Sequence, residues 1–357
     1  MDRVYLDYNA TNPLRMEARQ AMIAAMDIVG NPSSVHAEGR AAKSLIENAR
    51  RDVAALVGCS PSEVVFTSGA TEAACVLGSL SAHYSIKVDP TAHDALLAYA
   101  GIHNNTTTLP RQVLAMGLAN SETGIINPLP KQQDGTWYDA MTEGDLLMVD
   151  VTQAVGRIAF DFQTSGADLA ILSAHKLGGP KGIGALIVRQ GVDIAALSLG
   201  GGQEMGRRSG TENLTGIAGF GAAAAAAKRD FEAGRWDHIK ELRKILENAL
   251  AAEAKTTIFV GIDANRLPNT LCMVTPSWKG EAQVIQMDLA GFAISAGSAC
   301  SSGKVRASSV LRAMGFDDAT ASCAIRVSLG LETTEDQVLR FAQAWLEKEQ
   351  KFRARAA

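Results

Sequence analysis

The chain has 357 residues, 47% of them apolar and 20% charged, which suits a large globular domain joined to a smaller one. A net charge of −4 without any basic block gives no reason to expect nucleic acid as a partner, and no apolar run approaches the roughly 20 residues of a membrane span. The opening Met1-Asp-Arg-Val-Tyr5 lacks the charged and apolar regions of a signal peptide, so a cytoplasmic location is expected.

In chain order, apolar residues at helical spacing (Ala41, Leu45, Ala49, Val53, Leu56) predict a helix over 40–57 capped by Gly58. A strand over 63–67, a glycine turn and an apolar helix from Thr71 to about Tyr84 come next. Further strands are predicted over 113–118, 145–149, 168–172 and 184–188. Continuous apolar strands alternating with helices argue for a mostly parallel sheet buried on both faces, with ligands at the carboxyl ends of its strands. A long helical stretch over 215–254 leads to a smaller α+β part, with strands near 270–274 and 324–329 and helices near 282–289 and 334–348. The expected division is 1–250 and 251–357, the N-terminal segment being able to pack on the smaller part.

Five cysteines (Cys59, Cys75, Cys272, Cys300 and Cys323) include no C-x-x-C pair, so neither a metal site nor a disulfide framework is expected. Four sit among apolar neighbours and are expected in the core. Cys300 stands instead in Ser295-Ala-Gly-Ser-Ala-Cys-Ser-Ser-Gly303, whose small and polar residues read as an exposed loop.

Three clusters each follow a predicted strand: Thr67-Ser-Gly-Ala-Thr71, Asp150-Val-Thr-Gln153 and Ser173-Ala-His-Lys176. The first offers backbone N–H groups at a helix start, suited to a phosphate. The second offers a carboxylate at a strand end, which either caps a loop or pairs with a pyridinium nitrogen. In the third, a lysine before a glycine-rich turn is either a surface residue or an amine used for Schiff-base chemistry. Gly200-Gly-Gly202 and Arg208-Ser-Gly-Thr211 add a second glycine-rich, cationic segment. Together these point to pyridoxal 5′-phosphate (PLP).

The chain resembles the NifS/IscS-type cysteine desulfurases of the class V, fold-type I PLP-dependent enzymes. The resemblance runs in order through Tyr5-Leu-Asp-Tyr8, Gly30-Asn-Pro-Ser-Ser-Val-His36, Thr67-Ser-Gly-Ala-Thr-Glu72, Ala119-Asn-Ser-Glu-Thr-Gly124, Val149-Asp-Val-Thr-Gln-Ala-Val-Gly156, Ser173-Ala-His-Lys176, Arg208-Ser-Gly-Thr-Glu-Asn213, Gly297-Ser-Ala-Cys300 and Ile325-Arg-Val-Ser-Leu-Gly330. It implies an α/β fold: a large domain with a mostly parallel, seven-stranded sheet flanked by helices, and a smaller α+β C-terminal domain carrying the cysteine loop.

Carried over residue by residue, the resemblance makes Lys176 the cofactor lysine, Asp150 the partner of the pyridinium, and Gln153 with Asn120 the partners of the ring hydroxyl. His93 would stack on the ring. Ala70, Thr71, Ser173 and His175 would hold the phosphate, with Thr211 reaching it from the second subunit of a homodimer. Arg326, helped by Asn31, would clamp the substrate carboxylate, where a planar fork suits best. Cys300 would receive sulfur from L-cysteine as a persulfide, for an acceptor such as an iron–sulfur scaffold or sulfur-carrier protein. The sequence departs from the family's pattern in placing only 27 residues between His93 and Asn120, as if a strand–helix piece were trimmed.

Overall fold

A computed structural model describes residues 3–102, 111–138, 143–297 and 307–356. The chain divides into two compact units, one of Pro13–Leu118 and Asn127–Glu232, the other of Met1–Asn12, Ala119–Ile126 and Ala233–Ala357. The expected boundary at 250 falls inside the helix Arg235–Glu253.

The first unit is built on a sheet of six strands, in the order Val64–Thr67, Gly184–Val188, Leu169–Ser173, Leu146–Asp150, Gln112–Gly117 and Ser85–Val88. Only Gly184–Val188 runs antiparallel to its neighbours. The expected seven strands are therefore six among the described residues. Between His93 and Asn120 the described residues form the short helix Asp94–Leu97 and one strand, Gln112–Gly117. The edge strand Ser85–Val88 escaped the sequence reading because its two polar positions break the apolar run.

Leu169–Ser173 and Gly184–Val188 are buried along their whole length, as continuous apolar strands covered on both faces must be. Register brings Gly184 opposite both Ser173 and Thr67, so this strand begins at the rim where its neighbours end. Helices Met16–Met26 and Ala37–Val57 pack on Leu214–Glu232. A side chain on Gly221 would meet Ala49 at 2.6 Å, so the contact is possible only because both residues are small. The buried stripe of Ala37–Val57 is Ala42, Ile46, Ala49 and Val53; Ala41, expected inside, is exposed. Gly58 closes this helix with φ 74°, as expected of a glycine C-cap.

The single helical stretch expected over 215–254 is two helices, Leu214–Glu232 and Arg235–Glu253, parted at Gly234 with φ 69°. The second helix belongs to the other unit, which holds an antiparallel sheet in the order Ile258–Phe259, Thr270–Val274, Ala324–Ser328 and Ser295–Ala296. A two-stranded parallel pair joins Val4–Tyr5 to Phe292–Ala293. Its core gathers Trp278, Trp345, Phe341 and Phe292, and the polar edge of Trp345 donates to Gln283 Oε1 at 3.1 Å. That bond satisfies the buried Trp345 indole, whereas Trp278 Nε1 is buried without a hydrogen-bond partner among the described residues.

Candidate active site

The strand ends of the first unit form the rim. After Thr67, the chain turns through Gly69 and starts the short helix Ala70–Ala74. A Cβ on Gly184 would stand 2.7 Å from Gly69 Cα and 2.6 Å from the Leu172 carbonyl oxygen, so only glycine lets this turn lie against the adjoining strand. Ala70 is half-buried and Thr71 exposed at the helix start. Ser68 N donates to Glu72, whose carboxylate also receives Arg208 Nε at 2.9 Å. Burial raises the Glu72 carboxyl, but the bonds from Arg208 and Ser68 outweigh it and hold its pKa below the usual value.

Leu169–Ser173 delivers a buried Ser173, then one turn of 3-10 helix carrying His175 and Lys176, both half-buried. Burial, with Lys176 and then Lys181, pushes His175 down to about 4. The turn is fixed from behind. Arg15 Nε donates to the Leu177 carbonyl at 2.6 Å and Arg15 N to that of Gly178 at 2.8 Å, while its fork pairs with Asp230.

Leu146–Asp150 ends on Asp150, whose Oδ1 accepts from Thr152 N at 2.9 Å. Gln153 follows in a buried run of turns, and its Oε1 accepts from Arg157 Nη1 at 2.8 Å. Thr152 Oγ1 is buried without a hydrogen-bond partner among the described residues. Asp150, Gln153, Ser173, His175 and Lys176 are thus brought to one rim by adjacent parallel strands, with Thr71 in the short helix that follows Val64–Thr67, two strands along. His93, expected to stack on a ring, is exposed and N-caps Asp94–Leu97, its Nδ1 accepting from Ala95 N at 3.1 Å. That role keeps a lone pair on Nδ1. Thr211 is exposed, and Asn31 lies in an exposed turn with its Oδ1 accepting from Ser33 N.

The other unit holds Arg326 and Asn120. Arg326, 3% exposed in the middle of Ala324–Ser328, donates through Nη2 to Asp7 at 2.7 Å and through Nη1 to the Ser121 carbonyl at 3.0 Å. Asp7 is itself held by Ser295 Oγ at 2.8 Å. Arg326 Nε is buried without a partner among the described residues. The arginine expected to hold a substrate carboxylate is therefore already paired with one from its own chain, and a carboxylate charge in a buried site keeps the guanidinium oriented. Asn120 Oδ1 caps the turn that follows it, accepting from Glu122 N and Thr123 N, both at 2.9 Å.

Cys300 lies outside the described residues. Of the cysteines expected in the core, Cys272 and Cys323 are buried, Cys59 is half-buried and Cys75 is exposed. Helical phase explains Cys75, which sits one turn beyond exposed Thr71. Burial pushes the Cys59 and Cys272 thiols up to about 12, so neither is a ready nucleophile. No cluster of three or more metal-ligating side chains occurs among the described residues.

Sequence reasoning did not single out Arg157, Arg15 or Asp7. Asp7 lies inside a quoted motif, and Arg157 stands one turn beyond Gln153, a spacing that could have drawn attention to it.

The profile of the aminotransferase class-V family matches residues 4–111 and 84–341. A cysteine desulfurase of Cereibacter sphaeroides is 37% identical over 96% of this chain and 95% of its own length. The cysteine desulfurase IscS of an Anaeromyxobacter species is 35% identical over 98% of this chain and 93% of its own length. Among solved structures, a NifS-like protein superposes with a TM-score of 0.84 at 30% identity, over 98% of this chain and 99% of the other. A NifS-like protein from Rickettsia africae gives the same TM-score at 27% identity. With strand ends, rim residues and near-full-length similarity in agreement, the chain belongs to the class-V aminotransferase family, within its NifS/IscS-type cysteine desulfurase branch.

Proposed function

We propose that this chain is a PLP-dependent cysteine desulfurase, converting L-cysteine to L-alanine and passing the sulfur to Cys300. The observation that carries the reading is one rim bearing Lys176, Asp150, Gln153 and the Gly69 turn on neighbouring strand ends. The donor set suits PLP: a carboxylate for the pyridinium, an amide for the ring hydroxyl, hydroxyls and helix-start N–H groups for the phosphate, and an amine for the aldehyde. Asp150 would hold the pyridinium, and Gln153 with Asn120 the ring hydroxyl. Ala70, Thr71, Ser173 and His175 would hold the phosphate, with the second subunit's own copy of Thr211 completing it.

Bound PLP supplies a sink for the electron pair left at the substrate's α-carbon. Lys176 would bind the cofactor's aldehyde carbon and, once released by substrate, its Nζ would serve as the base that takes the α-proton and returns it, with His93 proposed to stack on the ring. Arg326 and Asn31 orient the substrate carboxylate. Cys300 as thiolate forms a bond to the substrate sulfur as the carbon–sulfur bond breaks. Cysteine and a protein thiol thereby yield alanine and a protein persulfide, which an acceptor protein then draws off. A cytoplasmic homodimer fits this role, and the described residues contain no helix long and apolar enough to cross a membrane.

Incubation with L-cysteine and PLP is expected to yield alanine and a Cys300 heavier by one sulfur in mass spectrometry. Cys300→Ala is expected to retain PLP and lose persulfide formation entirely. Unchanged sulfide release from Cys300→Ala would overturn the assignment of that cysteine. Alanine-free turnover of another amino acid would favour a different class-V reaction.

A further inference from the structure

Arg157 is 3% exposed and bridges two of the rim residues. Its Nη1 donates to Gln153 Oε1 at 2.8 Å and its Nη2 to the main-chain carbonyl of Lys176 at 3.2 Å. The two acceptors come from different strand ends, Gln153 after Leu146–Asp150 and Lys176 after Leu169–Ser173. An arginine has five N–H donors and no acceptor, and its fork is rigid. It can therefore bond the oxygen of the Gln153 amide and not its nitrogen. This removes the ambiguity of an amide side chain, which presents its oxygen or its NH2 group with nearly equal ease.

We propose that Arg157 is a positioning residue that fixes the orientation of the Gln153 amide, so that Gln153 acts toward the cofactor only as a hydrogen-bond donor. The same guanidinium ties that orientation to the backbone of Lys176, joining the amide and the cofactor lysine in one frame. The proposal rests on the PLP reading. A donor at the ring hydroxyl favours its ionised form and draws electron density from the ring. The neighbouring lysine linkage then holds its proton less tightly. Arg157 touches neither substrate nor ring in this role and acts through Gln153.

The test is a pH titration of the visible absorbance of the PLP-loaded protein, which reports protonation of the lysine linkage and needs no turnover. Arg157→Met is expected to move the midpoint upward by about one pH unit, the size of one hydrogen bond to a charged form. Gln153→Ala is expected to move it the same way, and adding Arg157→Met to Gln153→Ala to add little, since both changes remove one interaction. Arg157→Lys, with a point charge in place of the fork, is expected to recover part of the shift. If Arg157→Met does not fold, Arg157→Gln replaces it; being both donor and acceptor, it no longer imposes one amide orientation and is expected to shift the midpoint too. PLP-loaded Arg157 variants with the wild-type midpoint, or additive shifts in the double variant, overturn the positioning role. Wild-type protein that gains no lysine-bound absorbance with PLP overturns the cofactor reading beneath it.

Discussion

His175 shows how one side chain reports its surroundings. The sequence offered only a histidine beside a lysine. The fold half-buries it and sets Lys176 and Lys181 near, and its pKa falls to about 4 from 6.5. Between those values the unfolded chain binds a proton that the folded chain refuses, so stability rises with pH across the window. His175 contributes fully above 6.5, and its contribution is lost as pH falls through about 4. Cofactor-free protein is therefore expected to lose stability on acidification, and His175→Asn to lose less. Urea midpoints at about pH 7 and about pH 5 check this; equal slopes for the two proteins would refute it. Lys176 and Asp150 were legible because their neighbours along the chain announce a strand end and a turn. Arg326 was legible as a buried anchor, since it alternates with apolar residues, but its partner Asp7 was not, because 319 positions separate the two.

Among the elements, Gly184–Val188 shows where local pattern stops. Five apolar residues declare a buried strand, yet nothing in them states its direction. Its antiparallel run puts Gly184, the first residue, at the rim between Ser173 and Thr67. There the Gly69 turn approaches so closely that a methyl group would collide with main-chain atoms, which cannot swing aside as a side-chain end can. Gly184→Ala is accordingly expected to cost about 2–4 kcal/mol in stability through overpacking and strain. It is also expected to weaken PLP binding at least tenfold by displacing the phosphate turn. Chemical denaturation and PLP titration of the same variant check the two effects, and wild-type values for both would remove this turn from the cofactor site. A second device holds the glycine-rich segment around Gly200–Gly202. Buried Glu204, with φ 48°, takes both arms of the Arg50 fork at 2.7 and 2.8 Å and the Phe66 N–H at 2.8 Å. A left-handed residue with a side chain is tolerated where such a buried ion pair fixes it.

On the scale of the whole molecule, large apolar side chains stand exposed within the first unit: Val29 at 92%, Val35 at 87%, Leu199 at 93% and Met26 at 66%. Exposed apolar surface of this kind suits coverage by a second copy, consistent with the proposed homodimer and with Thr211 standing exposed. Thr211→Ala is expected to weaken PLP binding about tenfold, as loss of a bond to a charged phosphate would. Mixing Thr211→Ala with Lys176→Ala subunits is expected to restore one tight PLP site per dimer, because each such site pairs an intact lysine with the other subunit's intact threonine. Restoration is read by PLP titration beside sedimentation; a dimer without it would assign Thr211 to its own chain's site.

The sequence by itself determined the apolar strands, the glycine turns and the strand-end positions of Asp150 and Lys176, because each depends on neighbours within one strand or one helical turn. Tertiary structure alone decided the strand's reversal at Gly184, the pairing of Arg326 with Asp7 and the split at Gly234. It alone placed Arg157 between Gln153 and the carbonyl of Lys176. These are contacts between distant or differently oriented segments, and no local periodicity encodes where a folded chain meets itself.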